Sequence, residues 1–197
     1  MDERLKKQLD FALEIDKEKN IFRQTHLSGH GRNENDAEHA WHMAIMTVLL
    51  AEYANEKIDV LKTVMMLLIH DLVEIDAGDT YAYDEEGKKT QREREEKAAK
   101  RIFGLLPEEQ GEKLMALWEE FEAYETPEAN FAHTMDNIQP VMLNDATDGK
   151  AWLEHGVHLS QILGRNKKTA EGSRELWQYA YEKMIAPNAA KGRIIED

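Results

Sequence analysis

The chain has 197 residues, 42% of them apolar, with four prolines and no cysteine, which fits one globular domain and excludes disordered, fibrous and disulfide-stapled classes. Its net charge of −14, from 39 acidic and 25 basic side chains, repels nucleic acid and anionic membranes, though not a small phosphate ester whose charge a metal and local cations offset. The longest apolar run, Val64 to Ile69, is too short to cross a bilayer, and Met1-Asp2-Glu3-Arg4 lacks a signal peptide's apolar core; a soluble, cytoplasmic protein is expected.

Apolar residues recur at helical spacing and no stretch alternates like a strand, so the chain reads as all-α. Leu5, Leu9, Leu13 and Ile15 mark a first helix that fades at Lys19-Asn20, and His26 to Gly31 reads as a loop. Asp36 suits an N-cap for a second helix to about Asn55. Asp59 suits one for a third, from Val60 to roughly Ala77, ended by Gly78. The turn Asp84-Glu85-Glu86-Gly87 leads to a charged helix from about Thr90 to Phe103. Leu106-Pro107 starts the next.

Thr126-Pro127-Glu128 joins an N-cap, an N1 proline and an early acid, and Pro140 is expected to kink or break the helix that follows. Two more helices fit, one between Ala151 and Gly164 and one between Thr169 and Ala186, while the tail after Pro187 is expected to fray. With no repeat and no linker, one domain over residues 1–197 is expected, with its core at about 10–165 and a C-terminal helix at about 169–186.

Charge appears where a core belongs. Val64 to Ile75 is apolar on nearly all sides, yet it carries His70, Asp71 and Glu74. An unpaired carboxylate buried there would cost several kcal/mol or more, so something must compensate it. A lone His-Asp dipeptide is commonly a self-satisfied pair, but two other helices supply more of the same. His39 opens the second helix just before an apolar run, and Asp136 sits among apolar residues on a later one. Two imidazoles and two carboxylates match the charge of one divalent cation, and the mixed nitrogen and oxygen set suits Mn, Fe, Co, Ni, Zn or Mg.

His39, then His70-Asp71, then Asp136 resembles the ordered signature of the HD-domain superfamily. The stretches Arg32 to His39, His70 to Asp79, Leu105-Leu106-Pro107 and Leu117 to Glu122 are similar to the branch of bacterial 5′-deoxynucleotidases and HD-domain-containing protein 2. The resemblance implies a compact multi-helix HD-domain bundle with its metal site in the helical core. His39, His70, Asp71 and Asp136 would hold one divalent metal. Glu74 and Asp79 occupy the places of two catalytic acids near the attacking water and the scissile phosphate. Arg23 would contact the phosphate, within Phe22-Arg23-Gln24 where those relatives keep an Arg-Trp pair.

The expected activity is hydrolysis of a small phosphomonoester, with a (deoxy)nucleoside 5′-monophosphate as the first choice. Two alternatives stay open: a cyclic or polyphosphorylated nucleotide hydrolase, and a regulatory module that keeps the metal without turnover. Glu74, one turn beyond His70, is placed to orient or deprotonate water, and Asp79 to protonate the leaving alkoxide if its surroundings keep it neutral. His42 and His133 read as core or supporting histidines, and Asn137 and Gln139 either orient a ligand or lie in solvent. Lys88, Lys89, Arg92 and Arg94 read first as a solvated face, Asp76 as facing elsewhere, and His155 and His158 as surface residues without partners. Trp118, Trp152 and Trp177 read as core or interface anchors, and a homodimer is possible.

Overall fold

Side-chain caps set where several helices begin in the computed structural model, which describes residues 3–29, 31–84 and 86–197. His30 and Glu85 lie outside the described residues, and Lys88 is described by its backbone alone. Helix α1 (Glu3–Glu14) passes through a 3-10 segment (Ile15–Asn20) into a hairpin of β1 (Phe22–His26) and β2 (Asn33–Asn35). The strands are antiparallel, pairing Phe22 with Asn35 and His26 with Asn33 across a register irregularity. This corrects the strand-free reading. Both strands are short and mostly polar, so no alternation marks them in the sequence. The leucine stripe that identifies α1 is also not its buried face, because Leu5, Leu9 and Leu13 are exposed while Phe11 packs inward.

Helix α2 (Asp36–Leu50) is capped by Asn35 rather than Asp36. The Asn35 side chain accepts the Glu38 N–H at 2.9 Å, and the Asn35 N–H donates to the Glu38 carboxylate at 3.2 Å. Asp36 is thereby freed to turn inward, where it is fully buried. Asp59 caps α3 (Val60–Ile69) by accepting the Lys62 N–H at 3.1 Å. The expected single helix from Val60 to Ala77 is interrupted by a 3-10 turn at His70–Val73 before α4 (Glu74–Ala77). The tighter turn advances residues by about 120° rather than about 100°, which re-aims the His70-Asp71 pair. Gly78 ends α4 at φ 75°, a conformation that glycine adopts without strain.

Helices α5 (Lys88–Phe103), α6 (Glu108–Ala123) and α7 (Pro127–Ala146) follow, with Pro107 just outside α6 rather than in it. Thr126 caps α7 by accepting the Ala129 N–H at 3.2 Å. Helix α7 runs unbroken through Pro140, against expectation. A proline removes one i→i−4 hydrogen bond, here the one to the Asp136 carbonyl, and the buried Ile138, Val141 and Leu143 hold the helix around it.

The two C-terminal helices are divided into α8 (Lys150–His155), α9 (Leu159–Arg165), α10 (Thr169–Gly172), α11 (Arg174–Ala180) and, after a π-turn at Tyr181–Ile185, α12 (Ala186–Ala190). Gly156 at φ 56° separates the first two, and Ser173 caps α11 by accepting the Leu176 N–H at 3.2 Å. The tail does not fray. Ile194 is buried, the Ile195 N–H donates to the Val157 carbonyl at 3.0 Å, and Asn188 donates to Asp145 at 2.7 Å. The adjacent pair Ile194-Ile195 carries too little periodicity to announce such docking.

Two apolar clusters meet near His70. One joins Met43, Met66, Leu67, Phe131, Met135 and Ile162, and the other joins Ile69, Leu72, Ala99, Ile102, Phe103 and Trp118. Losing one such ring, as in Phe131→Ala, costs about 3–5 kcal/mol. Gly172 lets α10 approach α7 closely, since a Cβ there would stand 2.3 Å from the Asn130 carbonyl oxygen. The described helices make up 72% of the chain, and none is long and apolar enough to cross a membrane.

Candidate metal centre

Three helical elements bring His39, His70 and Asp136 together in the core, one possible ligand atom from each lying within 4.8 Å of the others. Ligands about 2.0–2.2 Å from a shared ion stand roughly 3–4 Å apart, so this spacing fits one divalent cation. His39 Nε2 is 3.1 Å from Asp136 Oδ1, and His70 Nε2 is 3.9 Å from the same oxygen. Asp71 Oδ2 lies 3.1 Å from His70 Nε2. The buried His70 Nε2 has no hydrogen-bond partner. His70 Nδ1 donates to the Leu67 carbonyl at 2.9 Å, so Nε2 is the ring nitrogen that faces the carboxylates and would bind an ion on giving up its proton. An orphaned imidazole nitrogen aimed at two carboxylates is the geometry a cation completes.

His39 is fixed in the same sense. Its Nδ1 donates to Gln139 Oε1 at 3.0 Å, and the Gln139 amide nitrogen donates to Glu34 at 2.7 Å and lies 3.1 Å from His42 Nδ1. A partner on Nδ1 orients the ring and presents Nε2, the role that supporting groups play around metal-binding histidines. Thus His42 and Gln139 act behind His39, and neither lies in solvent.

Arg23 reaches in from β1. Its Nη1 donates to Asp71 at 2.8 Å and to Asp36 at 3.1 Å, while Arg165 donates to the other Asp136 oxygen at 3.0 Å. Burial lowers His70, but Asp71 outweighs it and holds the imidazole up at about 9. Burial and Arg23 lower His39, yet its hydrogen bonds to the Asp136 and Glu34 carboxylates leave it raised. Despite burial, His70 and Arg23 keep Asp71 below the usual carboxylate range, and Arg165 with His39 does the same for Asp136. The remaining acids shift the other way. Burial and the Asp71 charge push Glu74 well up, Asp36 to about 6 and Glu18 to about 8. Asp79 is raised too, by burial and by Asp71 against the opposing pull of Arg23. Carboxylates therefore outnumber the cations available to them, and a divalent ion is the charge that restores balance.

The cluster borders a cavity of about 360 Å³. Asp71, Glu74, Asp79 and Arg23 line it, so the sequence-selected acids and arginine share one space. Glu74 Oε2 is buried without a partner. His133 also lines the cavity, held between the rings of Phe121 and Tyr124 with centroids 3.9 and 4.0 Å away and Nε2 donating to the Phe121 carbonyl at 2.8 Å. Asn137 donates to Thr169 at 3.1 Å. Lys89 pairs with Glu86, and Arg92 with Glu96 and with Glu122, which itself lines the cavity. Arg94 ties the preceding loop through Thr80 and the Ala77 carbonyl, and Asp76 faces away onto Arg101. Two partnerless histidines gain partners: His158 pairs with Asp197 at 2.7 Å, and His155 packs on Tyr81 with ring centroids 4.7 Å apart. Trp118 and Trp152 are buried and Trp177 is half-buried.

Sequence reasoning missed Arg165, Asp36, Glu34 and the aromatic wall of Tyr81, Tyr83 and Tyr124. Arg165 ends α9, where a basic residue is ordinary helix chemistry, so only the fold shows that it faces Asp136. Lys167 and Lys168 also line the cavity.

The chain is similar to 5′-deoxynucleotidase HDDC2 of Homo sapiens, 32% identical over 111 residues, covering 56% of this chain and 53% of the relative. The Mus musculus protein of the same name is 30% identical over 109 residues, 55% and 53% of the two chains. The chain thus spans about half the length of the curated relatives it matches. A crystal structure of a predicted metal-dependent phosphohydrolase from Magnetospirillum magnetotacticum MS-1 superposes with a TM-score of 0.92 at 46% identity, covering 97% of this chain and 95% of that one. The HD domain family itself matches residues 15–177, and on that match the chain belongs to the HD domain family.

Proposed function

We propose that this chain is a metal-dependent phosphohydrolase of small phosphomonoesters, with a nucleoside 5′-monophosphate as substrate and His39, His70, Asp71 and Asp136 as ligands of one divalent ion. The observation that carries the reading is the orphaned His70 Nε2 among carboxylates, beside a cavity of mononucleotide size. The names of the vertebrate relatives and of the Magnetospirillum protein support it. The ion, when bound, makes water more acidic and polarises a phosphoryl oxygen.

The protein's own residues do the rest. Arg23 offers a guanidinium for the phosphate while it neutralises Asp36 and Asp71. Glu74, on the cavity wall one turn beyond His70, orients the attacking water and takes its proton as a carboxylate, the form a nearby cation favours against the burial and Asp71 charge that raise it. Asp79, whose hold on a proton is strengthened by burial and by the Asp71 charge against the pull of Arg23, gives a proton to the leaving alkoxide. Tyr81, Tyr83 and Trp152 supply apolar wall for a base and sugar.

The test is phosphate release from a panel of nucleotides with Mn or Co, for wild type and Asp71→Ala. Nucleoside monophosphates are expected to turn over and the variant to be inactive. The panel includes cyclic and triphosphate nucleotides, because Lys167 and Lys168 on the cavity wall offer charge for further phosphate. No turnover on any ester, with metal bound, would replace the enzyme by a regulatory module. An empty protein, with metal content unchanged by Asp71→Ala, would sink the metal centre itself.

A further inference from the structure

The helices that carry His39 and His70 have an unusual outer surface. Between Glu38 and Glu52, α2 has no charged residue. Its exposed positions are Trp41 at 64%, Ile45 at 47%, Val48 at 60% and Leu49 at 66%, one stripe at helical spacing. Helix α3, packed beside it, adds Leu61 at 72% and Leu68 at 38%. In a chain that is 32% charged, six large apolar side chains on two neighbouring helices are not scattered surface residues. The leucine stripe of α1 differs, because Arg4, Lys6, Lys7 and Asp10 interleave with it.

We propose that the outer face of α2 and α3 is a self-association surface, where a second copy of this chain packs across a twofold axis to form a four-helix contact. Scaled from areas of about 150–250 Å² for an aromatic side chain and somewhat less for the aliphatics, the exposed portions leave on the order of 600–700 Å² of apolar surface. Two copies would then bury roughly 1,300 Å², inside the range of about 1,200–2,000 Å² of stable specific interfaces. Charge selects the occupant. At a net −14, two copies repel over most of their surface, and only an uncharged face brings no like charges together. A membrane-surface helix carries Lys and Arg beside its apolar stripe to meet anionic lipid, and α2 has neither. A twofold contact is isologous, so the face needs only to complement itself.

The test is sedimentation of the full chain across micromolar concentrations. Wild type is expected at twice the 22.8 kDa chain mass, and the exposed-site double variant Val48→Glu with Leu49→Glu at 22.8 kDa with unchanged helical circular dichroism. Because the chain has no cysteine, Ile45→Cys provides a single thiol for a short bis-maleimide. It should give covalent dimers, whereas Glu119→Cys, exposed on α6, should not; this readout holds even if the double variant fails to fold. A monomeric wild type, a dimer indifferent to the two glutamates, or equal cross-linking from both thiols would overturn the proposal. So would co-flotation of wild type with phosphatidylglycerol vesicles, which would assign the face to lipid.

Discussion

Helices α2 and α3 with the turn that follows them can be compared side against side. Inward they and their neighbours present His39, Asp36, His70 and Asp71, all buried or nearly so; outward they present Trp41, Ile45, Val48, Leu49 and Leu61 to solvent. The usual distribution of charge and oil is in part reversed. Burying a carboxylate without a partner costs several kcal/mol, and an uncovered apolar face forgoes about 25 cal/mol per Å². Both sides are therefore incomplete in the isolated chain, but in different senses. The inner side lacks a charge, and the outer side lacks a surface.

On that contrast, removing an inner carboxylate has the largest effect of any single change. Asp71→Ala is expected to lose bound metal and at least ~10³-fold in kcat, because the ion's contribution and the Arg23 anchor go together. Metal analysis alongside phosphate release checks it, and retained metal with retained turnover would break the comparison on its inner side. Glu74→Gln comes next, with metal kept, kcat lower by about 10²–10⁴-fold and KM nearly unchanged. A comparable fall in metal content would instead mark Glu74 as a ligand.

Gln139→Ala tests how the inner side is held. Its amide fixes the His39 ring and spans to Glu34, so metal affinity is expected to drop about 10–100-fold, the usual loss when a ligand's supporting partner is removed. Competition titration with a chelating dye reads it directly. Unchanged affinity would mean that packing alone orients His39.

How much of this was legible in the sequence depends on range. Local chemistry could be read. Thr126-Pro127 and Asp59 start helices where expected, and Gly78 stops one. His39, His70, Asp71 and Asp136 stood out because charge set in apolar runs demands an explanation. What depends on distant contacts was hidden. The hairpin presenting Arg23 has no alternating pattern, Arg165 meets Asp136 only once the fold brings the end of α9 to it, and the tail is held by Ile194 and Asn188. The Asn35 cap escaped because Asp36 is an equally good capping residue by type. The choice between them follows from Asp36 being drawn inward by Arg23.

A smaller effect concerns pH. Burial pushes His133 down from the ordinary 6.5 to about 4. Between those values the unfolded chain binds a proton that the folded chain refuses, so this residue makes stability rise with pH through that window and fall as acid is added. The swing is on the order of 3 kcal/mol. Urea unfolding at pH 4.5 and pH 7 is expected to show a smaller acid loss for His133→Gln than for wild type. Equal losses would place the acid sensitivity elsewhere in the site.

The smallest effect is expected from the outer side, and it decides whether the two sides are independent. The inner ligands are held by Met43, Met66 and Leu67, all 0% exposed, and by the Gln139 bridge, none of which touches solvent. Val48 and Leu49 are exposed where those groups are buried, and changes at well-separated sites add rather than couple. The double variant Val48→Glu with Leu49→Glu is accordingly expected to keep kcat per chain within about threefold of wild type, even as a monomer. Steady-state kinetics on both species at matched chain concentration settles the point. A fall of 10²-fold or more would show that the inner geometry is completed across the twofold contact, and the contrast between the two sides would become a coupling.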